Sequence, residues 1–293
     1  MVLEQIGWES PDVTSELVAL VDQMRSAEQS VQEALQRMDA DSRDVFVREM
    51  IIGDAGGACD LPLDQVQDTE ELCRVCLEAR GPFDGGRQRQ ILRERARIHL
   101  RLSGDAHALR NTEDLLALWD EATCREPKTR LFVDEPRWRV DADGLPFTRA
   151  RVAEFVNPIP LAPGLETADP EDIPQLAEAI VDFVHCDDLP PEVVAFSLFY
   201  LVFRVHPFVD GNGHTMRMLF CDILHRAGYS EPTLLAYVNV HRERRLAMCD
   251  LSIDVSLGRA RPQDHVVFLL KGMLQAQERV LSLYATRYAP CSR

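Results

Sequence analysis

The most informative segment of the sequence is His206-Pro207-Phe208-Val209-Asp210-Gly211-Asn212-Gly213-His214-Thr215-Met216-Arg217. A helix that is apolar on nearly every side is predicted before it, over 190–204, and a second apolar helix after it, ended by Gly228. Proline at 207 disfavours helical geometry at His206, so we expect the imidazole at the boundary of the first helix. The segment is therefore predicted to be a rigid loop held between two core helices.

Gly211 and Gly213 give this loop the features of an anion-binding site. Both glycines permit positive φ angles, which let backbone N–H groups converge on one negative group. The convergence falls at the amino end of the second predicted helix, where the helix dipole also favours negative charge. Asn212 adds a neutral amide donor, and Arg217 lies one turn into the helix, where a guanidinium can contact phosphate bidentately. This part of the segment predicts a phosphate cradle.

His206 and Asp210 supply the remaining chemistry of the segment. An imidazole can take the proton from a hydroxyl nucleophile, and a single carboxylate suits Mg²⁺, which keeps waters and phosphate oxygens as its other ligands. A direct metal site of His206, Asp210 and His214 is disfavoured, because the two glycines break the helix that such a spacing needs. The segment as a whole predicts a phosphate-transfer site.

The ordered segment resembles the signature of the Fic family, HPFx(D/E)GNGRxxR, and matches it at every fixed position except one. Residues 226–229, which close the following helix, and residues 258–269 are similar to the family as well, and the resemblance extends over about 106–285. It implies an all-α fold: a Fic-type helical bundle with a short β-hairpin flap over the active site, within about 137–156.

The resemblance also implies a reaction and a set of roles. The reaction is transfer of AMP from ATP, with Mg²⁺, to a Ser, Thr or Tyr hydroxyl of a protein substrate. Phe208 matches a residue whose ring anchors the loop in the core. The matched site roles are general base (His206), Mg²⁺ carboxylate (Asp210), phosphate cradle (Gly211, Asn212, Gly213) and contact to the terminal phosphates (Arg217).

His214 is the single departure, since it occupies the position of the first signature arginine. An imidazole is shorter than a guanidinium and cannot make a bidentate contact, so weaker nucleotide binding or an altered pose is expected. Two alternatives to AMP transfer therefore stay open. One is transfer or removal of another phosphate-containing group on the same fold, and the other is a catalytically weak scaffold that binds nucleotide or a partner.

Regulation and base recognition follow the family pattern less closely. Many Fic proteins carry an inhibitory helix with the pattern (S/T)xxxE(G/N), and no such pattern occurs in this chain. The nearest equivalent, 48–53, has Ile52 at the glutamate position, so inhibition by pairing with Arg217 is not expected unless Glu49 or a partner protein substitutes. The region that would supply the nucleotide-base pocket, about 242–258, offers Arg245, Met248 and Ser256.

Most of the remaining chain is predicted to be helical. Helices are expected at about 12–38, 63–79, 87–102, 112–124 and 170–185, and the stretch 54–60 is expected to be a loop. Between 128 and 170, six prolines exclude a continuous helix. We predict two domains, an N-terminal helical extension over 1–105 and a Fic-like catalytic core over 106–293.

The composition limits the partners. A formal net charge of −16 disfavours nucleic acid as a partner, and the basic stretch 87–97 is interpreted as a solvated helix flank. The sequence contains no apolar run long enough to predict a membrane span, and no secretory signal is recognised at residue 1. A cytoplasmic location is therefore expected. The eight cysteines are expected to be reduced thiols. Association into a homodimer stays open.

Overall fold

The computed structural model describes residues 3, 8, 10–53, 66–78, 86–104, 109–123, 167–168, 172–208 and 211–289. Within these residues the fold is all-α, with eleven helices. They are α1 (Ser15–Gln36), α2 (Ala40–Ile52), α3 (Thr69–Glu78), α4 (Gly86–Ser103), α5 (Thr112–Thr123), α6 (Ile173–Val184), α7 (Pro191–Val205), α8 (Asn212–Arg226), α9 (Glu231–Glu243), α10 (Arg245–Ser256) and α11 (Pro262–Arg287). The predicted flap over 137–156 and the predicted loop over 54–60 lie outside the described residues.

The chain divides into two compact units. Unit 1 comprises 1–18, 107–223 and 244–270, and unit 2 comprises 19–106, 224–243 and 271–293. The predicted division at residue 105 into an extension and a core stays a prediction. None of the described helices is both long enough and apolar enough to cross a membrane.

Helix α7 lies at the centre of unit 1, as its apolar sequence predicts. Every residue from Glu192 to Val202 is buried. The rings of Phe196 and Phe199 contact Phe220 of α8 at centroid distances of 5.0 and 5.2 Å. Because α7 and α8 are packed through these aromatic rings, the loop between them is held by the core at both ends.

Trp8 also belongs to the core of unit 1. Its side chain is 2% exposed and its ring lies 5.8 Å from Phe183 of α6 and 5.4 Å from Tyr200 of α7. Helix α6 packs against both α5 and α7. The core of this unit is therefore assembled from segments that lie far apart in the sequence.

Unit 2 packs α2, α3, α4 and α9 together, and its interior contains charged side chains. Glu94, Arg95 and Arg97 of α4 are 3%, 1% and 8% exposed, so the prediction of a solvated helix flank was wrong for these residues. Arg95 donates to the carbonyl oxygens of Ile51 and Ile52, 2.9 Å each. These bonds replace water for the guanidinium and satisfy the carboxyl end of α2.

Polar pairs also join α4 to α9. Arg95 donates to Asn239, Arg242 pairs with Glu94, and His99 is bonded to Glu231. Each pair joins residues that are more than a hundred positions apart in the sequence. The pairing explains why a helix as polar as α4 is buried, since buried charged groups persist when each one has partners.

Candidate active site

His206 ends helix α7 in a left-handed backbone conformation. Its φ and ψ are 48° and 57°, and its N–H donates to the Val202 carbonyl over 2.9 Å. Among the described residues it is the one non-glycine residue with positive φ. This conformation costs about 1–2 kcal/mol for a residue with a Cβ, and strain of this kind concentrates at functional sites. The imidazole thus lies at the helix boundary, as Pro207 predicts.

Phe208 fixes the start of the loop through both its ring and its backbone. The ring is 1% exposed and stacks on Trp119 of α5, with a centroid distance of 5.4 Å and an angle of 19° between the planes. Its N–H donates to Asn212 Oδ1 over 3.0 Å, and its carbonyl accepts from Asn212 Nδ2 over 2.8 Å. The Asn212 carboxamide therefore closes the loop, and its contact to a phosphate stays a prediction.

Gly211 leads directly into α8, whose first residue is Asn212. The φ of Gly211 is 84°, so the turn into the helix uses a conformation that glycine adopts without strain. The Gly211 carbonyl accepts two bonds from Thr215, 2.9 Å from its N–H and 3.0 Å from its hydroxyl. These bonds fix the first turn of α8, and a helix leaves the first N–H groups of that turn without helical partners.

Arg217 lies against Gly213 in the first turns of α8. Arg217 is 8% exposed. A Cβ added to Gly213 would lie 3.2 Å from Nη1 of Arg217. A side chain at 213 would require the Arg217 guanidinium to shift by a few tenths of an ångström. A guanidinium offers five N–H donors in a planar fork that matches a phosphate group. Together with the amino end of the helix, the fork gives this point the chemistry to hold an anion.

The two remaining residues of the predicted site are His214, which the structure describes, and Asp210, which it does not. His214 lies in the first turn of α8 and is half-buried. Asp210, the predicted Mg²⁺ ligand, lies outside the described residues. Among the described residues, no group of three or more His, Cys, Asp or Glu side chains is arranged to hold a metal ion.

Comparisons with known proteins find similarity to Fic proteins. Residues 163–224 match the family model described as Fic/DOC family. This range contains the whole segment 206–217. Over these residues the chain is similar to the Fic/DOC family. The crystal structure of a Fic family protein from Desulfovibrio desulfuricans G20 resembles it with a TM-score of 0.62 at 19% identity, over 94% of this chain and 77% of that one. At this identity the likeness shows the Fic fold alone.

Curated relatives match the chain over short segments. A protein adenylyltransferase Fic of Nematostella vectensis is 38% identical over 76 residues, 25% of this chain and 17% of the relative. A protein adenylyltransferase Fic of Drosophila virilis is 47% identical over 45 residues, 15% of this chain and 9% of the relative. The aligned parts span less than a fifth of either relative.

Two residues that hold the Fic loop were missed by the sequence reasoning. Trp119 lies on α5, far from the signature in the sequence, and its role appears only through its contact with Phe208. Thr215 occupies a variable position of the signature and bonds to Gly211. A hydroxyl residue four positions after a glycine was a signal for Thr215, because such hydroxyls often bond to the carbonyl four residues earlier. No local pattern identified Trp119.

The residues predicted near the nucleotide base all lie on α10. Arg245 is exposed, and Met248 is 7% exposed. The Ser256 hydroxyl donates to the Ser252 carbonyl over 2.7 Å and lies 3.2 Å from the Tyr200 hydroxyl. Since the described contacts of Ser256 are made inside unit 1, recognition of a base by these residues stays a prediction.

Proposed function

We propose that this Fic protein transfers AMP from ATP to a Ser, Thr or Tyr hydroxyl of a target protein. The observation that carries the proposal is the position of the Arg217 guanidinium beside Gly213, at the amino end of α8. A buried fork of donors at a helix amino end is suited to phosphate groups. The same short loop carries His206, so a base and an anion site belong to one segment.

The substrate phosphates fit the residues that are present. Gly211 turns the chain into α8 with a φ of 84°, and Gly213 in the first turn of the helix is exposed. Arg217 would hold the terminal phosphates, and the backbone of 211–213 would cradle the phosphate nearer the sugar. Mg²⁺, held by Asp210, would neutralise phosphate charge when bound.

His206 would act as the general base. It accepts the proton of the target hydroxyl, whose oxygen forms a bond to the α-phosphorus of ATP. The bond between the α-phosphorus and its bridging oxygen to the β-phosphate breaks, and pyrophosphate leaves. Because the backbone of His206 is left-handed, its imidazole does not follow the side-chain direction that the regular helical geometry of α7 would give. This orientation would place the base beside the cradle.

A labelling experiment tests the proposal with a variant that separates chemistry from folding. Purified protein is incubated with Mg²⁺, a cell lysate and ATP labelled at the α- or the γ-phosphate, beside His206→Asn. Asparagine tolerates the left-handed conformation, so the variant should keep the melting temperature of the wild type. We expect label from α-labelled ATP alone, reduced about 100-fold or more in the variant, because a general base contributes about 10²–10⁴-fold.

Label transferred from the γ-position would contradict AMP transfer and support the alternative of another phosphate-containing group. Equal labelling by His206→Asn would contradict the role of His206. The melting temperatures decide whether a loss of labelling in the variant reflects chemistry or unfolding.

His214 favours a second candidate function, a nucleotide-binding scaffold with weak catalysis. It lies in the first turn of α8, where an arginine is expected in the family signature. We expect His214→Arg to increase ATP affinity about 10-fold, since a charge-assisted bidentate contact contributes about 1.5 kcal/mol. The measurement is calorimetric titration of wild type and variant with ATP and Mg²⁺.

The same pair of proteins distinguishes the two functions. AMP transfer by the wild type, improved in His214→Arg, supports the enzyme. ATP binding by the wild type without transfer, together with transfer by the arginine variant, would support a scaffold derived from an active ancestor. An affinity that does not rise in the variant would contradict a contact between position 214 and the phosphates.

A further inference from the structure

The left-handed backbone conformation of His206 must be stabilised by the residues around it. A non-glycine residue stays in the left-handed region only where its surroundings determine the conformation more strongly than its own preference. The described bonds around the loop join His206 to Val202, and Phe208 to Asn212. These bonds connect the loop to itself and to its two flanking helices. They fix the shape of the loop and its two ends, and a contact of the loop's own side chains with a further helix would fix its middle as well.

Trp119 of α5 supplies such a contact. Its indole stacks on the Phe208 ring at 5.4 Å and 19°, and the two residues are 7% and 1% exposed. Phe208 lies two positions after the base and four before Asn212, so its ring is the point at which the loop meets α5. Helix α5 packs in turn on α6, and α6 packs on α7. The stack thus links the loop to the same core that holds its flanking helices.

We propose that Trp119 is a positioning residue that holds His206 in its left-handed conformation through Phe208. The role of Trp119 in turnover rests on the proposed AMP transfer, whereas its effect on the loop does not. Loss of the stack lets the Phe208 ring shift and moves the imidazole relative to the cradle. Small displacements of a reacting group reduce a rate about 100-fold. Nucleotide binding changes less than turnover, because Arg217 lies on α8, and Phe220 of α8 packs on Phe196 and Phe199 of α7 without Trp119.

Three variants test this role. Trp119→Leu removes the ring, Trp119→Phe keeps an aromatic stack, and Trp8→Leu is the matched control. Trp8 is also a buried tryptophan of unit 1, and its described ring contacts are with Phe183 and Tyr200. Each variant is measured for melting temperature, for kcat and KM of AMP transfer, and for backbone hydrogen exchange of the peptide covering 206–212.

For Trp119→Leu we expect kcat to fall between about 10-fold and 100-fold with KM for ATP within about 3-fold of the wild type. The 206–212 amides should exchange at least about 10-fold faster, because the Phe208 N–H loses the packing that protects its bond to Asn212. Trp119→Phe should restore both quantities. Trp8→Leu should lower the melting temperature and leave the exchange of 206–212 and the KM-to-kcat relation unchanged.

Unchanged exchange of 206–212 in Trp119→Leu would overturn the proposal, as would equal loss of kcat in Trp8→Leu. If the wild type transfers no AMP, the proposed function fails, and the exchange measurement still decides the role of Trp119. Faster exchange in Trp119→Leu, restored in Trp119→Phe, supports the positioning role in either case.

Discussion

At the scale of single residues, the site combines one strained residue with one close approach. His206 carries the positive φ, and Gly213 lets the Arg217 guanidinium lie against the helix. Both features reduce stability: the left-handed conformation costs energy, and a glycine within a helix costs about 0.5–1 kcal/mol relative to alanine. Features that reduce stability are expected where function requires them.

Gly213→Ala separates stability from ligand binding at this site. Alanine is the better helix former, so we expect the free energy of unfolding to stay the same or rise by up to about 1 kcal/mol. The new Cβ would lie 3.2 Å from Arg217 Nη1, so the guanidinium must shift by a few tenths of an ångström, and ATP affinity should fall by up to about 10-fold. Chemical denaturation and ATP titration measure the two quantities. An unchanged affinity would show that the present position of Arg217 is not the one that binds phosphate.

At the scale of elements, the carboxyl end of α2 is capped by a charged side chain of α4, Arg95. The two bonds from Arg95 satisfy the carbonyl groups of Ile51 and Ile52, which an isolated helix leaves to water. This is a capping arrangement in which the donor comes from α4. Ile52 lies at this capped end. That Ile52 stands at the position of the inhibitory glutamate, and that Arg217 is therefore not inhibited by it, stays a prediction.

Arg95→Met tests this capping within unit 2. The variant leaves the buried Ile51 carbonyl, the partly buried Ile52 carbonyl and the Asn239 side chain with fewer donors, so we expect a loss of about 3 kcal/mol or more in unfolding free energy. Arg279→Met is the control, because Arg279 and Glu243 form a largely exposed pair with bonds of 2.7 and 2.6 Å. Its loss should cost less than about 1 kcal/mol. Equal losses in urea denaturation would contradict a capping role for Arg95.

At the scale of the whole molecule, unit 1 contains a buried titratable group that the proposed reaction does not use. His265 of α11 is 1% exposed, and burial lowers its pKa to about 4 from the ordinary 6.5. Its Nε2 lies 3.1 Å from the Ser252 hydroxyl, which donates to the Met248 carbonyl over 2.9 Å. Since that hydroxyl proton is already used, Nε2 carries the hydrogen and donates to Ser252. The neutral imidazole thus joins α11 to α10.

The lowered pKa of His265 predicts how stability depends on pH. The unfolded chain protonates this residue below about pH 6.5 and the folded chain below about pH 4, so the unfolded state binds more protons between these values. Stability is therefore full above about pH 6.5 and is lost as pH falls toward 4, by up to about 3 kcal/mol. Urea denaturation at a series of pH values from 7 to 4, monitored by tryptophan fluorescence, measures this loss of stability.

His265→Gln is the matched variant for the pH series, because glutamine keeps a donor to Ser252 and does not titrate. Other groups contribute equally to both proteins, so the informative quantity is the difference in unfolding free energy between wild type and variant. We expect the advantage of the wild type to shrink as pH falls from 6.5 to 4. A difference that stays constant over this range would contradict the assignment.

From the sequence by itself, the resemblance to the Fic family and the all-α class could be predicted, and the family match and the described helices agree with both; the position of the site stays a prediction. The apolar periodicity of α7 and α8 and the ordered segment between them are local features, so backbone preferences and spacing are enough to read them. Pro207 predicted that His206 lies at a helix boundary, and the structure confirms it. The burial of the Phe208 ring, implied by the resemblance, is confirmed as well.

The tertiary structure alone decided which polar residues are buried and what holds the loop. Glu94 and Arg95 looked like solvent-facing residues because a local pattern contains no information about partners such as Asn239, which is 144 positions from Arg95. The same limit hid the stack of Trp119 on Phe208. Burial of a charge or a ring depends on free energies of pairing and packing between distant segments, and those segments meet only when the chain has folded.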